Sequence, residues 1–428
     1  MTSDPQTTEQ DPAASERSAV TSGTWLPHER SHAVALFCIL LVGLILRLAH
    51  MRNEDAWFDE VSTLMHLSEP TLSGFLAKVQ LSNGPLQPLY PTLEYSWSRL
   101  IGASDISLRF LSLIPAMVTV YLAYLFGTIL ESKRVGLLAA FLLSVSPTHI
   151  YYSEEIRMYA QVLCLMVFSL VCLVRIARSG GRLWWVLHFL TTVLIVWTHM
   201  LGAIILPIEA LYLAWILRRR GARVFMFWSV LQVVAVATLF PWFLTIEYDN
   251  IEEAYVKFIV PSLLTYFEQN PGYSVQGMFT SWLTLRPLEH ASAASRGGLL
   301  VANATLVIAY VTAFLHLMVN VFIGNRSRDG EPNEREARGQ NVLLLGLVVS
   351  PVLILLAISY AWQPSFMFRY ALVSLLGLYF VLAMSIGSLK HQNVRRTITV
   401  IVVLTTSFQA VVSLQAPSRA PWKMIFST

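Results

Sequence analysis

VGLLAAFLLSVSPTHIYYSEEIRMYAQVLCLMVFSLVCLVRIA, residues 135–177, holds two apolar runs separated by a single charged turn. A membrane helix needs about 20 mostly apolar residues, and each run comes close to that length. The turn gathers Glu154, Glu155, Arg157 and three tyrosines, Tyr151, Tyr152 and Tyr159. A chain that leaves the bilayer, turns within a few residues and returns is the plan of a polytopic membrane protein. The pattern continues to both sides of this stretch. On the length rule the sequence offers about eleven spans, near 33–50, 110–130, 135–151, 158–177, 183–199, 201–217, 224–245, 298–323, 342–361, 367–387 and 397–414. The runs within 135–177 and 183–217 are short enough to be tilted hairpins. The expected fold class is an all-α bundle in a membrane.

Composition agrees with that plan. The 428 residues are 55% hydrophobic and only 13% charged, with a mean hydropathy of +0.57. Soluble domains carry about 25% charged residues, so lipid rather than water is expected around most of this surface. Aromatic residues are plentiful, 12 Trp, 16 Tyr and 22 Phe, which suits interfacial belts and sugar-stacking surfaces alike. The net charge of +4 points to no nucleic-acid partner. Cys38, Cys164 and Cys172 each lie inside an apolar run and form no disulfide framework or thiolate metal site. Residues 1–32 are polar and rich in Ser, Thr, Glu, Asp and Pro, and read as a disordered tail instead of a cleaved signal peptide.

Basic residues set the expected orientation, because Lys and Arg concentrate in cytoplasmic linkers. With the N-terminus inside, well over half of the 30 Lys and Arg fall in short connections on one side, among them Lys133, Arg134, Arg178, Arg182, Arg218, Arg219 and Arg220. The opposite side receives two long connections, about 51–108 and 246–297, and a tail over 415–428. A large outer surface with minimal inner wiring places the chemistry outside. Alternating apolar positions in 60–108, such as Leu64, Leu67, Leu72, Phe75 and Val79, predict amphipathic helices on the membrane surface. Pro261, Pro271, Gly272 and Gly277 break any long helix in the second connection, which reads as a mobile lid.

Seven places carry chemical groups. Asn53 to Glu60 puts four acids directly after the first span. Carboxylates at the lipid boundary need a partner, a cation or water, and Trp57 and Phe58 can hold Asp59 at the surface as a proton acceptor; a hydrated loop start is the plainer reading. Asn83 to Pro91 has three prolines and suits either a substrate-facing loop or the start of a helix. Arg109 sits at the mouth of the second span, within reach of an anionic headgroup. In the 146–159 turn, Glu154 and Arg157 are spaced to form an ion pair if the returning helix begins there, or mark a substrate path. His199 ends the fifth span. Glu209 lies within the sixth and must face the bundle interior. Arg369 opens the tenth span, where a guanidinium either clamps a phosphate or snorkels to headgroups. There is no glycine-rich nucleotide loop, zincin helix or nucleophile elbow, so a soluble nucleotide-sugar site is unsupported.

Together, WFDE at 57–60, SPTHIYYSEEIRMY at 146–159, the aromatic-THMLG segment ending at Gly202 and PSFMFRY at 364–370 resemble the polyprenyl-phosphate-dependent glycosyltransferases of the GT-C fold class. The resemblance is to glycosyltransferase family 39, which includes protein O-mannosyltransferases and lipid A aminoarabinose transferases, and it extends over most of 33–390. It implies a GT-C-like catalytic domain over 33–414 in a bacterial plasma membrane. It also implies inverting transfer of a hexosyl or pentosyl group from a polyprenyl-phosphate carrier to an extracytoplasmic lipid, polysaccharide or protein acceptor. Asp59, with Glu60 beside it, takes the place of the family's catalytic carboxylate. Arg157, Arg369 and Tyr370 take the donor phosphate. Glu154, Glu155, Tyr159, Tyr90 and His199 are the expected acceptor or sugar contacts. No cofactor is certain; paired acids leave a divalent cation (Mg or Mn) open, with Asp59, Glu60 and Glu154 as its ligands. The sequence departs from the family at Leu86-Gln87-Pro88-Leu89-Tyr90, where relatives often read His-Pro-Pro-Leu-Tyr, and it stops at Thr428 where many continue into a soluble domain. The alternative class is a transporter or flippase for a lipid-linked or anionic substrate. Against it, the sequence has no internal repeat of the kind secondary transporters often show.

Overall fold

The computed structural model describes residues 30–51, 56–83, 87–217, 222–245, 278, 293–322, 332–361 and 366–413. Its first helices are α1 (Arg30–Met51), α2 (Phe58–Leu64), α3 (Leu72–Asn83), α4 (Leu89–Leu100) and α5 (Asp105–Leu130). Then follow α6 (Lys133–Ser144), α7 (Pro147–Ser153), α8 (Tyr159–Ser179), α9 (Arg182–Thr198), a 3₁₀ turn (Met200–Ile204), α10 (Ile205–Leu217), α11 (Ala222–Ala237) and α12 (Phe240–Phe243). The last are α13 (Ala293–Phe322), α14 (Pro332–Ala361), a second 3₁₀ turn (Phe368–Ala371), α15 (Leu372–Gly387) and α16 (Gln392–Ser413). The tail predicted over 1–32 lies outside the described residues except at its end, where α1 already begins. The lid predicted over 246–297 and the tail over 415–428 lie outside them almost entirely.

Eight of these helices are long and apolar enough to cross a membrane. The chain is an integral membrane protein. Helix α9 and the segment Met200–Ile216 are shorter apolar pieces, as expected for the pair that sequence read as tilted hairpins. The third expected span, 135–151, is bent: α6 and α7 pass the length and hydropathy test together but meet at 65°, and would make a ninth span among the described residues. Ser146 accepts a hydrogen bond from the His149 amide at 3.2 Å as the N-cap of α7, and Pro147 follows at its first position. Proline has no N–H to continue a helix and its ring clashes with the preceding turn, so the chain restarts there in a new direction. The Tyr379 hydroxyl of α15 donates to the Ser146 Oγ at 2.7 Å and pins the corner from the other side.

Inner and outer helices differ in what surrounds them. Helices α8 and α15 have 78% of their apolar window buried, whereas α11–α12 and α16 have 22%. The inner helices pack side chain on side chain, as where Phe126 of α5 meets Phe380 of α15 edge-on at 4.9 Å. Outer flanks carry exposed Phe37, Val233, Val301 and Leu404, apolar surface of the kind acyl chains solvate. Where α5 turns into α6, a Cβ on Gly127 would stand 2.7 Å from the Gly136 Cα. Only small residues let two membrane helices approach so closely.

Between α1 and α5, α2–α4 form a small cap with its own core. Phe75 and Val79 of α3 are buried with Leu67, Leu108 and Ile156, as the alternating pattern in this stretch foretold. Helix α4 starts with Pro91 in its first turn, where the amides have no intrahelical partner to lose. Arg109 lies in the first turns of α5, at the mouth of that span, and is buried.

Glu209 faces inward, as required, into a polar knot of four helices. Its carboxylate accepts from the Ser169 hydroxyl at 2.6 Å and lies 3.1 Å from His188 Nε2. Thr192 donates to Gln232 Oε1 at 2.8 Å beside them. Replacing one member of a buried pair strands the other, so Glu209→Leu is expected to destabilise the folded chain by on the order of 3 kcal/mol. Thermal unfolding in detergent measures this; a Glu209→Leu melting point equal to the parent's would show that the knot contributes nothing.

Candidate active site

At one end of the bundle the cap, the 154–158 turn, the start of α8, the 199–202 turn and the 366–371 turn converge. Asp59, in the first turn of α2, lies at the centre. Its Oδ2 accepts from Arg369 Nη1 at 3.1 Å and stands 3.9 Å from Arg157 Nη2. Arg157 also donates to the Asp59 backbone carbonyl at 2.5 Å. One carboxylate is thus flanked by two guanidinium groups, 98 and 310 residues away in sequence.

Arg369 is framed by aromatic faces. Its guanidinium lies 5.2 Å from the ring centre of Tyr159, 5.6 Å from Tyr370 and 5.7 Å from Trp57. Such faces attract a cation and hold its plane. Next to them a cleft runs into the bundle. Its lining is polar at Arg369, Tyr370, Tyr159 and His199 and apolar at Val162, Met166 and Leu372. Gly202 lines it where no side chain fits, since a Cβ would meet Ile195 Cγ2 at 2.5 Å and Val162 Cγ2 at 2.8 Å.

The remaining acids are turned to other partners. Glu60, fully buried, accepts from the Trp57 amide at 2.9 Å and, through its other oxygen, from the Ile156 amide at 2.6 Å. The first bond closes the start of α2; the second ties the cap to the 154–158 turn. Residues 154–157 form a turn ahead of α8, which begins at Tyr159. Glu154 faces His50 Nδ1 at 2.5 Å. Glu155 is buried and acts electrostatically on Tyr159 and Arg369. Tyr90 lies behind the site: its hydroxyl meets Ser112 Oγ at 2.8 Å, and Ser112 donates to the Arg157 carbonyl at 3.2 Å. Among the described residues, no three His, Cys, Asp or Glu side chains converge to hold a metal ion. Asp59, Glu60 and Glu154, the trio sequence offered to a cation, each point to a separate partner.

Two groups were overlooked in sequence. Arg47 of α1 donates to the Ser144 carbonyl at 2.8 Å, an end of α6 that has lost its helical partner, and to His149 Nδ1 at 2.6 Å. Its signal was an arginine inside an apolar span, which membrane cost alone marks as purposeful. Glu94 is the second. It follows Tyr90 by one helical turn, faces Arg157 and Glu60, and is buried with its Oε1 unbonded among the described residues.

Burial pushes the Glu94 carboxyl up to about 8, against the pull of Arg157 and with help from Glu60. The folded chain therefore keeps a proton there that the unfolded chain releases near 4.5. Stability from this group is intact below that value and falls as pH rises toward 8, by at most ~1.4 kcal/mol per pH unit. Glu94→Gln cannot ionise, so its melting point is expected to overtake the parent's as pH is raised from 5 to 8. Parallel melting curves across that range would show that Glu94 is ionised throughout.

No protein-family model matches this sequence, and no curated protein is significantly similar to it. Solved structures are. ArnT from Cupriavidus metallidurans in the apo state superposes with a TM-score of 0.51 at 12% identity, over 89% of this chain and 74% of that one. The same protein bound to undecaprenyl phosphate gives 0.51 at 11% identity, over 89% and 75%. The oligosaccharyltransferase AglB from Archaeoglobus fulgidus, in complex with an inhibitory peptide and a dolichol-phosphate, gives 0.55 at 13% identity, over 91% of this chain and 56% of that one. This chain thus spans little more than half of AglB. The fold is that of the GT-C membrane glycosyltransferases, the class that the four sequence motifs resemble.

Proposed function

We propose that the protein is an inverting glycosyltransferase that moves a hexosyl or pentosyl group from a polyprenyl-phosphate carrier to a lipid, polysaccharide or protein acceptor on the extracytoplasmic side of the membrane, as in family 39. The observation that carries this reading is Asp59 held between Arg157 and Arg369, with Arg369 also lining a cleft of mixed polar and apolar walls. A base and two phosphate-binding cations side by side are what such a displacement needs. The fold agrees: ArnT and AglB have been captured with undecaprenyl phosphate and a dolichol-phosphate.

In the proposed reaction the carrier phosphate enters beside Arg369 and draws its guanidinium from Asp59. The acceptor hydroxyl oxygen attacks the anomeric carbon from the face opposite the phosphate. Its proton passes to the freed Asp59 carboxylate as the carbon–oxygen bond to phosphate breaks. The bonding pair leaves with the phosphate oxygen, and Arg369 and Arg157 stabilise the second negative charge that develops there. Glu60 keeps α2 closed and so holds Asp59 in place. A divalent cation is not needed for any of these steps, and Glu60 and Glu154 are already bonded elsewhere.

The transporter reading is weaker, because the groups near Asp59 gather at one end of the bundle. The polar knot at Glu209 lies deeper but its members bond to one another. The deciding experiment gives purified protein in lipid nanodiscs a panel of polyprenyl-phosphate sugars with hydroxylated acceptors. Release of free polyprenyl phosphate with a glycosylated product supports the transferase. Movement of an intact lipid-linked substrate across a vesicle bilayer, with no donor consumed, would replace it with a flippase.

A further inference from the structure

His199 stands one residue beyond the end of α9 and lines the cleft. Its Nδ1 accepts a hydrogen bond from the Leu201 amide at 3.2 Å. A backbone N–H can only donate, so Nδ1 carries no proton and the ring's hydrogen sits on Nε2. The ring is held by aromatic neighbours, 5.1 Å from the centre of Tyr370 and 6.3 Å from Tyr159, the two rings that also frame Arg369. Burial, then Arg369, pushes the imidazole down to about 4. The result is a neutral donor, fixed in tautomer and aim, next to a permanent cation.

We propose that His199, as a neutral Nε2–H donor, binds a non-bridging oxygen of the carrier phosphate beside Arg369. This rests on the glycosyltransferase reading, and it moves His199 from the sugar or acceptor side, where sequence put it, to the donor phosphate. The chemistry favours an uncharged donor at this point. The carrier phosphate holds one negative charge as the sugar diester and gains a second when the sugar leaves. A neutral N–H stabilises that growing charge, yet holds the doubly charged product less tightly than a further cation beside Arg369 and Arg157 would. Product release is thereby eased.

The test uses a polyprenyl methyl phosphodiester, whose single charge does not change between pH 5.5 and 7, a window below the titration of Glu94. Its binding to the full-length protein in nanodiscs is measured by calorimetry for the parent, His199→Gln, His199→Phe and Arg369→Ala. A glutamine amide can place its N–H near the position of Nε2, whereas phenylalanine keeps the ring without a donor. A hydrogen bond to a charged group predicts about tenfold or more weaker binding for His199→Phe, near-parental binding for His199→Gln, and a parental affinity that is flat with pH. His199→Phe binding as tightly as the parent would overturn the assignment. So would a parental affinity that falls as pH rises through 6–7 and does so no longer in His199→Gln, since His199 would then act as a cation. No binding by the parent at all would remove the glycosyltransferase reading itself, and this inference with it.

Discussion

Asp59→Asn lowers the rate of sugar transfer by about 10²–10⁴-fold, the usual contribution of a general base, with the protein still folded and still binding donor. Asparagine has the shape of aspartate, and its amide oxygen can still accept from Arg369, so the arrangement at the centre of the site survives. What is lost is the negative charge that takes the acceptor's proton. Donor affinity should hold or improve, because Arg369 is released from its ion pair before the phosphate arrives. The effect therefore falls on kcat, with KM for the donor flat or lower. Initial rates with the preferred polyprenyl-phosphate sugar measure both constants. More than a tenth of parental kcat in Asp59→Asn would place the base elsewhere in the site.

Arg369→Ala is the second large effect, and it differs in kind. One well-placed donor to a developing oxyanion is worth about 3–4 kcal/mol, or roughly 10²–10³ in rate, and the same group binds the phosphate in the ground state. Both kcat and KM for the donor should suffer. Arg369→Lys restores charge but not the planar fork that stacks against Tyr159 and Tyr370, so rescue is partial. Arg157→Ala is a less clean probe, because Arg157 also holds the Asp59 backbone carbonyl. If Arg369→Ala keeps both constants within about threefold of the parent, the phosphate does not bind where the cleft opens.

Helices were legible because bilayer thickness imposes one length on every span, and apolar runs of that length are hard to miss. What length cannot reveal is a corner. The Ser-Pro at 146–147 was in view, yet the run around it was apolar enough to pass for one straight span. Asp59, Arg157 and Arg369 were legible one by one, as charges where membrane proteins rarely carry them. That two guanidinium groups share one carboxylate is a tertiary fact, and spacings of 98 and 310 residues give no hint of it. The acids misled for a related reason. Asp59 and Glu60 are adjacent and chemically alike, but helical geometry turns one toward two guanidinium groups and the other toward two backbone amides. Glu154 bonds to His50 on a different helix, a contact that sequence spacing cannot show. Glu94 drew no notice because a glutamate on a short amphipathic helix looks solvated until its neighbours are known.

The Glu60 clasp has a mechanical consequence. Through it, and through the Arg157 bond to the Asp59 carbonyl, the cap and the 154–158 turn behave as one plate. Ser112 and Tyr90 brace that plate from below. Arg369 reaches it on a short turn ahead of α15, and touches it through the ion pair to Asp59 and the face of Trp57. The seam of the site therefore runs between Asp59 and Arg369. In the proposed reaction, opening along this seam would part the base from the phosphate-binding cation without distorting either, and one small displacement would admit a bulky lipid-linked sugar.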